Sequence, residues 1–381
     1  MASYSFSAER VHLKRSVDSM LLGSVVLLTG TGLTVLFSSS FFRAGHLFGD
    51  PYRFFRTQGL FTLLGATLAI LPATISLDRI RKFLPVMLLG ALVLMSLTFV
   101  PGIGASLQGA RRWIFVFGRS FQPSELVKLV MVIYLAHLLS NKQDSMDDAV
   151  NTLLPPFLVL ALFSFLIYVQ NDFSTAVFVF VLGMAIFFVA GAPLRYFVGL
   201  GLVSTPLAVI LLLSREHRVR RLLAFLEPTL DPSGSGFQIL AAERALESGG
   251  AWGVGIGLGT QKMGALPEVH SDFVFAVVAE ELGLVGVVAI IALFTVFAWR
   301  GYYIAMRAPD TFRSFLAFGV TSMIVFQALL NIAVVAGAVP ATGVPLPFFS
   351  SGGSSMLVTL LACGFLLNVS RSVSDPEELH G

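Results

Sequence analysis

Ten apolar stretches, each long enough to cross a bilayer, constrain this chain more than any other feature of its sequence. A transmembrane helix needs about 20 mostly apolar residues to cross about 30 Å of hydrocarbon. The predicted spans cover residues 19–39, 57–76, 84–100, 124–140, 152–169, 172–190, 194–214, 273–299, 314–338 and 351–370. Only Gln170, Asn171 and Asp172 separate the fifth span from the sixth. A tight turn is expected there, because the merged segment would be too long for a single crossing.

The composition agrees with this pattern and excludes several classes of protein. Hydrophobic residues make up 56% of the chain and charged residues 12%, whereas soluble domains carry about 25% charged residues. The net charge is only +3 and no basic stripe with interleaved aromatic residues is present, so no nucleic-acid partner is expected. The single cysteine, Cys363, excludes disulfides within the chain and thiolate metal clusters.

The prediction is therefore an all-α polytopic membrane protein. One domain covers residues 1–381 and includes one large extracytoplasmic loop, residues 215–272, between the seventh and eighth spans. The first apolar run is long enough to span and lacks a small-residue cleavage site, so it is expected to be a transmembrane helix and not a cleavable signal.

Basic residues predict the orientation of the bundle. An even number of spans places both termini on one side, and cytoplasmic loops are enriched in Lys and Arg. With both termini cytoplasmic, twelve basic residues lie in the inside segments and six in the short outside loops. Long loops count little in this rule, so the basic residues of 215–272 do not change the prediction.

The two longer outside loops contain recognisable patterns. Residues 101–123 include the sequence GARRW and lead into QPSE, whose Pro123 suits the first turn of a helix. The apolar and basic positions of Arg215–Leu226 fall on different helical faces, a pattern typical of a helix in the membrane interface. A second short helix is expected over Gln238–Glu247. The alternating glycines of 253–259 do not match a dinucleotide-binding motif.

Charged residues within the spans are candidates for function, because charge in hydrocarbon needs a partner or a wet cavity. Glu125 and Lys128 are three residues apart and share a helical face. They form an internal ion pair in one interpretation. In the other, Lys128 lines a polar cavity and binds an anion. Glu280 is expected to contact Lys128 or a helix backbone, in a structural role.

The junction Leu266–Gly283, where the long loop enters the eighth span, is the predicted chemical centre. Asp272 lies at the mouth of the helix, and Glu280 lies about 12 Å further along its axis. Asp272 is either a functional acid or a helix cap, and Asp172 has the same two interpretations. Glu268, His270 and Asp272 alternate, so a metal site stays open as an alternative.

The approach to the last span, Gly343–Ser355, is broken by proline and glycine. Such a segment lines a cavity or forms a re-entrant turn. Together with the arginines, these features predict an outward-facing polar cavity that suits an anionic amphiphile such as a lipid phosphate. At this level transport and catalysis are equally supported.

A family resemblance separates these two functions. The motifs GARRW, QPSELVKL, GSGFQ, LPEVHSDFVFAVVAEELG and VPLPFFSSGGSSM occur in this order across the chain. Together they resemble the SEDS family of bacterial cell-wall proteins (shape, elongation, division and sporulation), which includes FtsW, RodA and SpoVE. The spacing of GTQKMGALPE favours the division or sporulation branch. Departures from the family pattern occur at Asn171, Phe237, Ala241, Ala242 and Ser351.

The resemblance implies a peptidoglycan glycosyltransferase in the bacterial cytoplasmic membrane that polymerises lipid II on the outer face. It also implies a class B penicillin-binding protein as partner. Asp272 matches the family's essential acid. Other motif positions are matched by the following residues: Arg111, Arg112, Gln122, Glu125, Lys128, Asp172 and Gln238.

The implied reaction inverts configuration, forms a β-1,4 linkage and releases a polyprenyl pyrophosphate. In the resulting hypothesis Asp272 is the base, and Glu125 orients Lys128. Lys128, Arg111 and Arg112 hold the pyrophosphate, and a divalent cation is compatible with this arrangement. Two alternatives from other classes remain: a lipid II flippase, and a scaffold that only recruits the penicillin-binding protein.

Overall fold

The computed structural model describes residues 16–107, 110–116, 118–230, 235–260 and 272–373. Its α-helices are α1 (Ser19–Phe48), α2 (Arg53–Thr74), α3 (Leu77–Leu97), α4 (Pro123–Ser140), α5 (Leu154–Val169), α6 (Phe173–Val189), α7 (Leu194–Leu213), α8 (Glu216–Leu226), α9 (Ser235–Gly249), α10 (Val274–Arg307), α11 (Thr311–Val335) and α12 (Gly353–Ser370). Three strands, β1 (Gly104–Leu107), β2 (Ala110–Val116) and β3 (Arg119–Phe121), lie between α3 and α4.

The predicted polytopic helical fold is confirmed. Among the described residues, nine helical segments are long and apolar enough to cross a membrane, and α6 is a shorter apolar helix of 17 residues. These segments follow the ten predicted spans in order. Some helices are longer than their spans: α1 continues to Phe48 and α10 to Arg307. Hydropathy marks only the crossing itself, while backbone hydrogen bonds continue a helix beyond it.

The turn between α5 and α6 is as tight as expected. Asn171 has a φ of 65°, a left-handed conformation that asparagine tolerates better than most residues. Asp172 follows as the N-cap of α6, and its side chain accepts a hydrogen bond from the Thr175 N–H at 3.3 Å. Three residues are therefore enough to reverse the chain.

The predicted loop 101–123 contains a small antiparallel sheet in the order β1-β2-β3. Gly104 pairs with Ile114, and Ile114 also pairs with Phe121 on the other side. This sheet was not predicted from the sequence, because strands of three to seven residues leave little periodicity in a hydropathy pattern. The sheet holds Arg112 at one end of the bundle.

Helices α4, α11 and α12 form the centre of the bundle, where most of their residues are buried. Helix α7 lies at the edge and has no buried residue. Asn368 of α12 donates to the carbonyls of Pro72 and Ile75 at 2.7 and 2.8 Å, where α2 ends. A buried carboxamide thus satisfies carbonyls that the end of a helix leaves without partners.

Two polar contacts between α1 and α10 define the two ends of the bundle. Asp18 pairs with Arg300 at 2.6 Å, and the Asp18 N–H donates to Ser370 Oγ at 3.3 Å. We call this end the terminal end, since α1 begins and α12 finishes there. Ser38 donates to the Glu281 carboxylate at 2.7 Å at the opposite end. We call that end the cavity end, for the cavity described below.

Helix α10 is interrupted at Gly283, which has a φ of 63° and a ψ of −162°. Backbone from the preceding loop fills the interruption. We call residues Gly249–Thr260 the glycine loop. Four hydrogen bonds join it to α10: Val254 N to Glu280 O (3.0 Å), Gly255 N to Glu281 O (3.0 Å), Leu284 N to Gly250 O (2.9 Å) and Val285 N to Ala251 O (3.2 Å). The backbone N–H and C=O groups that the break leaves without helical partners are therefore bonded by the glycine loop.

Replacing Gly283 by alanine should destabilise the protein. The new Cβ would lie 2.8 Å from the Ala251 carbonyl oxygen, and the residue would keep a positive φ. We expect a loss of about 1–3 kcal/mol from backbone strain alone, seen as a lower melting temperature in detergent. Gly199→Ala on α7 is the control, because a Cβ at that position would have no neighbouring atom within 4 Å beyond its own stretch of helix. Equal melting temperatures for the two variants would contradict the role of the break.

Candidate functional site

A cavity of about 850 Å³ opens at the cavity end of the bundle. Its size lies within the range of about 300–1,000 Å³ typical of ligand sites. The described lining comes from β2, the first half of α6, the α7–α8 region, Asp272, the second half of α11, and the segment between α11 and α12. Residues 339–343 line it, so the segment predicted to be broken, Gly343–Ser355, borders this cavity only at its first residue, Gly343.

Positive side chains dominate the charge of this cavity. Among the described residues, its carboxylates are Asp172 and Asp272, whereas five arginines line it: Arg112, Arg215, Arg218, Arg220 and Arg221. Guanidinium groups stay charged in proteins and bind phosphate oxygens through paired N–H donors. The cavity therefore favours an anion that carries several oxygens.

Four of these arginines belong to α8 and the residue before it, and they were not selected from the sequence. The helix predicted over Arg215–Leu226 is confirmed by α8. The pattern was interpreted only as an interfacial helix, although Arg215, Arg218 and Arg221 recur every third residue. Residues three positions apart share a helical face. The face that carries these three arginines borders the cavity.

The same helix carries two groups with shifted pKa values. Burial lowers the pKa of His217, and the charges of Arg218, Arg221 and Arg215 lower it further, so the imidazole is neutral at pH 7. Burial also lowers the pKa of the Arg221 guanidinium, while the nearby Asp272 carboxylate opposes that shift. Arg221 thus lies close enough to Asp272 for the two charges to interact.

Asp172, Arg112 and Gln122 form one hydrogen-bonded group in the cavity wall. Arg112 donates to the Asp172 carboxylate at 2.9 Å, and Gln122 Nε2 donates to the same oxygen at 3.2 Å. The other oxygen of Asp172 accepts the capping bond from Thr175. Asp172 is therefore both a helix cap and the partner of Arg112, which combines the two interpretations of its sequence position.

Asp272 lies directly before α10 and lines the cavity. Phe273, not Asp272, occupies the N-cap position of this helix, so the interpretation of Asp272 as an N-cap is wrong. The chain is still in a turn at Asp272, so α10 begins one residue later than a cap at Asp272 would give. A Cβ built on Gly343 would lie 3.4 Å from Asp272 Oδ2, so this carboxylate lies close to the segment between α11 and α12.

Two carboxamides of α11 hold the backbone around Asp272. Asn331 Nδ2 donates to the carbonyls of Asp272 and Val344, both at 2.9 Å. Gln327 Nε2 donates to the Pro345 carbonyl at 2.9 Å. Neither residue was selected from the sequence. Two carboxamides four positions apart in an apolar helix are a signal that could have identified them, since they share a face and need buried partners.

A smaller pocket of about 40 Å³ adjoins Asp272 and is also lined by Arg221, Gln238, Asn331 and Thr342. Asn331 Oδ1 and Thr342 Oγ1 are buried and have no hydrogen-bond partner among the described residues. Polar atoms in this situation usually bind water or a ligand. Gln238 and Asp272, both predicted from the sequence, are thus brought together here.

Lys128 does not line the cavity, so its predicted contact with an anion there is wrong. Its side chain is 2% exposed and donates to Glu125 Oε1 at 2.8 Å and to Gln327 Oε1 at 2.6 Å. The internal ion pair is the interpretation that the structure supports. Burial of one charge requires an opposite charge and hydrogen bonds beside it, and Glu125 and Gln327 supply them.

The predicted contact between Glu280 and Lys128 is also wrong. Glu280 Oε1 accepts from the Thr260 N–H at 2.7 Å and from its hydroxyl at 3.2 Å. The carboxylate therefore fixes the end of the glycine loop and leaves Lys128 to Glu125. A role in structure was expected for Glu280, but the sequence did not reveal that a loop returns to this depth.

Three further residues predicted for the site are not part of its described lining. Arg111 is exposed, and it is absent from the described lining of the cavity. Glu268 and His270 lie outside the described residues. Within the described ranges, no three His, Cys, Asp or Glu side chains lie together as a metal site. Among the described residues, the lining of the cavity offers two carboxylates beside five arginines, a set that suits an anion.

Comparisons with known proteins agree with this architecture. The family model described as "Cell cycle protein", which covers FtsW, RodA and SpoVE, matches residues 18–375. A probable peptidoglycan glycosyltransferase FtsW of Geobacter sulfurreducens is 39% identical over 353 residues, which cover 93% of this chain and 95% of the relative. Stage V sporulation protein E of Bacillus subtilis is 39% identical over 358 residues, covering 94% and 98%.

Two solved structures share the fold. A chain from a peptidoglycan synthase complex, studied for its coordination of polymerization and crosslinking, superposes with a TM-score of 0.75 at 28% identity, covering 93% of this chain and 98% of that one. The rod shape determining protein RodA of Thermus thermophilus gives a TM-score of 0.67 at 26% identity, covering 94% and 98%. The protein described here belongs to the FtsW/RodA/SpoVE family.

Proposed function

We propose that this protein is a peptidoglycan glycosyltransferase that polymerises lipid II into glycan strands. The observation that carries the proposal is a cavity in which arginines and the Asp272 carboxylate meet at one end of a membrane bundle. The names of the curated relatives support the activity, since several are probable peptidoglycan glycosyltransferases. Relatives named FtsW and Stage V sporulation protein E support the division or sporulation branch.

The cavity offers separate surfaces to the two parts of a lipid-linked sugar. Its arginines supply charge for a pyrophosphate. Its apolar wall suits a polyprenyl chain and consists of Phe173, Val177, Phe178, Val181, Leu212, Phe326 and Leu330. A ligand that carries a pyrophosphate next to a long apolar chain matches both surfaces at once.

In this proposal Arg112 and the arginines of the α8 region bind the pyrophosphate. Arg111 and Lys128 are absent from the described cavity lining and do not take this role. Gln122 and Asp172 orient Arg112 through the hydrogen bonds described above. Lys128, Glu125 and Gln327 support α11 from behind the cavity wall. When the donor bond breaks, the arginines stabilise the charge that develops on the leaving pyrophosphate.

Asp272 is proposed as the base. The acceptor's 4-hydroxyl gives its proton to the Asp272 carboxylate while its oxygen attacks the anomeric carbon of the donor. The bond from that carbon to the pyrophosphate breaks with its electron pair, so polyprenyl pyrophosphate leaves and configuration inverts. A single displacement of this kind needs one base and charge stabilisation on the leaving group.

The small pocket beside Asp272 is proposed to receive polar groups of the acceptor sugar. Gln238, Asn331 Oδ1 and Thr342 Oγ1 would bond its hydroxyl or amide groups. Glu268 and His270 precede Asp272 closely in the sequence, and their role as supporting residues of this site remains part of the proposal.

The proposed location is the bacterial cytoplasmic membrane, with both termini in the cytoplasm and the site on the outer face. The terminal end and the cavity end lie at opposite ends of α1 and α10, and the distribution of basic residues supports this orientation. The likeness to a chain of a peptidoglycan synthase complex supports a class B penicillin-binding protein as partner.

The substitution Asp272→Asn tests the proposed base, because it keeps the shape of the side chain and removes its basicity. We expect the polymerisation rate of lipid II, measured with the cognate penicillin-binding protein, to fall by about 10²–10⁴-fold. Glu247→Gln, at an exposed position of α9, is the control and should retain activity. A folded Asp272→Asn protein with a near wild-type rate would remove Asp272 from catalysis.

The same pair of variants tests the flippase alternative in a lipid II scrambling assay. Scrambling of lipid II at full rate by a protein that makes no glycan would favour a flippase.

Arg221→Gln should weaken product binding, because it removes a charged donor from the cavity. We expect the Kd for polyprenyl pyrophosphate to rise about tenfold, equivalent to roughly 1.4 kcal/mol. Isothermal titration in detergent would measure it. Arg244→Gln on α9 is the matched control, since Arg244 is exposed and lies outside the described cavity lining. Equal affinities for the two variants would exclude Arg221 from pyrophosphate binding.

Asn331→Leu should impair catalysis by releasing the backbone of Asp272. We expect kcat to fall by roughly 10–100-fold with little change in KM, because small misplacements of a reacting group are costly. Asn368→Leu also removes a buried carboxamide that bonds two carbonyls, but at the terminal end. That control should lower stability and preserve kcat. If both variants lose kcat equally, the effect of Asn331 is on general stability.

A further inference from the structure

The glycine loop combines an absence of charge with strong exposure of large apolar side chains. Residues 249–260 read GGAWGVGIGLGT and contain no ionisable side chain. Trp252, Ile256 and Leu258 are 82%, 64% and 67% exposed. Leaving such side chains in water forfeits the favourable free energy of burying their apolar surface. Together they form a patch that needs an apolar neighbour.

The backbone of this loop is bonded within the protein where the loop packs against α10. Irregular backbone is tolerated at membrane depth only where its polar groups are satisfied within the protein. The N–H groups of Val254 and Gly255 donate to the carbonyls of Glu280 and Glu281 in the break of α10. Glu280 in turn receives the Thr260 N–H. These bonds hold the loop to α10 in its middle, at Val254 and Gly255, and at its last residue, Thr260.

The two polar contacts between α1 and α10 give the depth of the loop. Asp18 and Ser38 are separated by about 20 helical residues, or about 30 Å, which equals the hydrocarbon thickness of a bilayer. Arg300 and Glu281, their partners on α10, are separated by about 19 residues, or roughly 28 Å. The loop bonds α10 at Glu280 and Glu281. With Asp18 and Arg300 at one boundary of the hydrocarbon, the loop lies close to the other boundary.

We propose that the glycine loop inserts into the lipid leaflet at the cavity end, with Trp252, Ile256 and Leu258 among the lipids. The patch is continuous with an exposed apolar face of α10 just beyond the break, formed by Leu284, Val285 and Val288. Tryptophan is enriched at this depth in membrane proteins because its ring is apolar and its N–H is polar. In the proposed orientation this is the outer leaflet, but the insertion itself does not depend on the proposed function.

Spin labels in a lipid nanodisc of phosphatidylethanolamine and phosphatidylglycerol test this insertion. Nitroxides are attached at Ile256→Cys and Leu258→Cys, in a chain where the buried Cys363 is replaced by alanine. Power saturation then compares collisions with oxygen, which dissolves in lipid, and with a water-soluble nickel chelate. Val288→Cys is the lipid-facing control, and Glu247→Cys, at an exposed position of α9, is the aqueous control.

Insertion predicts that the ratio of oxygen to nickel collisions at 256 and 258 lies between those at 288 and 247 and well above that at 247, because 288 lies deeper along α10. Ratios equal to that at 247 would overturn the proposal. Labels that are water-exposed in the nanodisc and become protected only when a membrane protein partner is added would also overturn it, since the patch would then be a protein-docking surface.

A second measurement avoids any change in the loop. The other two tryptophans, Trp113 and Trp299, are replaced by phenylalanine, so that Trp252 alone reports. Quenching of its fluorescence by lipids brominated near the headgroup, with little quenching by iodide in the buffer, supports insertion. Strong quenching by iodide and none by the brominated lipids would overturn it.

Discussion

Polar backbone at the cavity end must be satisfied inside the protein, and the structure of the site depends on this requirement. Three interruptions of regular helix meet there: the break at Gly283, the turn at Asp272 and the segment between α11 and α12. Other segments of the chain bond the backbone of all three. The glycine loop fills the break, and Asn331 joins the other two. A non-helical site at membrane depth is stable because its parts satisfy one another.

This arrangement gives the two acids of the cavity different environments. Asp172 accepts bonds from Arg112, Gln122 and the Thr175 backbone, so it organises the wall. Asp272 lies on a turn whose carbonyl is held by Asn331, beside Arg221 and close to Gly343. Distinct environments for two carboxylates are the usual way to give them distinct roles. The proposed reaction uses one acid for structure and one for proton transfer.

Features that depend on a local pattern, such as the membrane helices, could be predicted from the sequence. The surroundings of side chains that contact distant segments could not. Hydropathy predicted the membrane helices because apolar length is a direct requirement of the bilayer. Asp172, Gln122 and Arg112 were selected by resemblance, and the structure joins them. Lys128 was assigned to the cavity because a charge in a span suggests a wet surface. Its partner Gln327 is 199 positions away, so the sequence could not show that it is enclosed. The arginines of α8 were visible, but only the fold turns them towards Asp272.

The contacts Asp18–Arg300 and Ser38–Glu281 also limit how the protein adapts to its bilayer. Both bind α1 to α10, so neither helix can slide along the other to follow a thicker or thinner membrane. Hydrophobic mismatch costs fractions of a kcal/mol per Å and must be absorbed elsewhere. Helix α7, which has no buried residue, can tilt at the edge of the bundle, and the lipids can stretch or compress. The membrane thus adjusts to this pair of helices, and the position of the cavity relative to the bilayer stays constant.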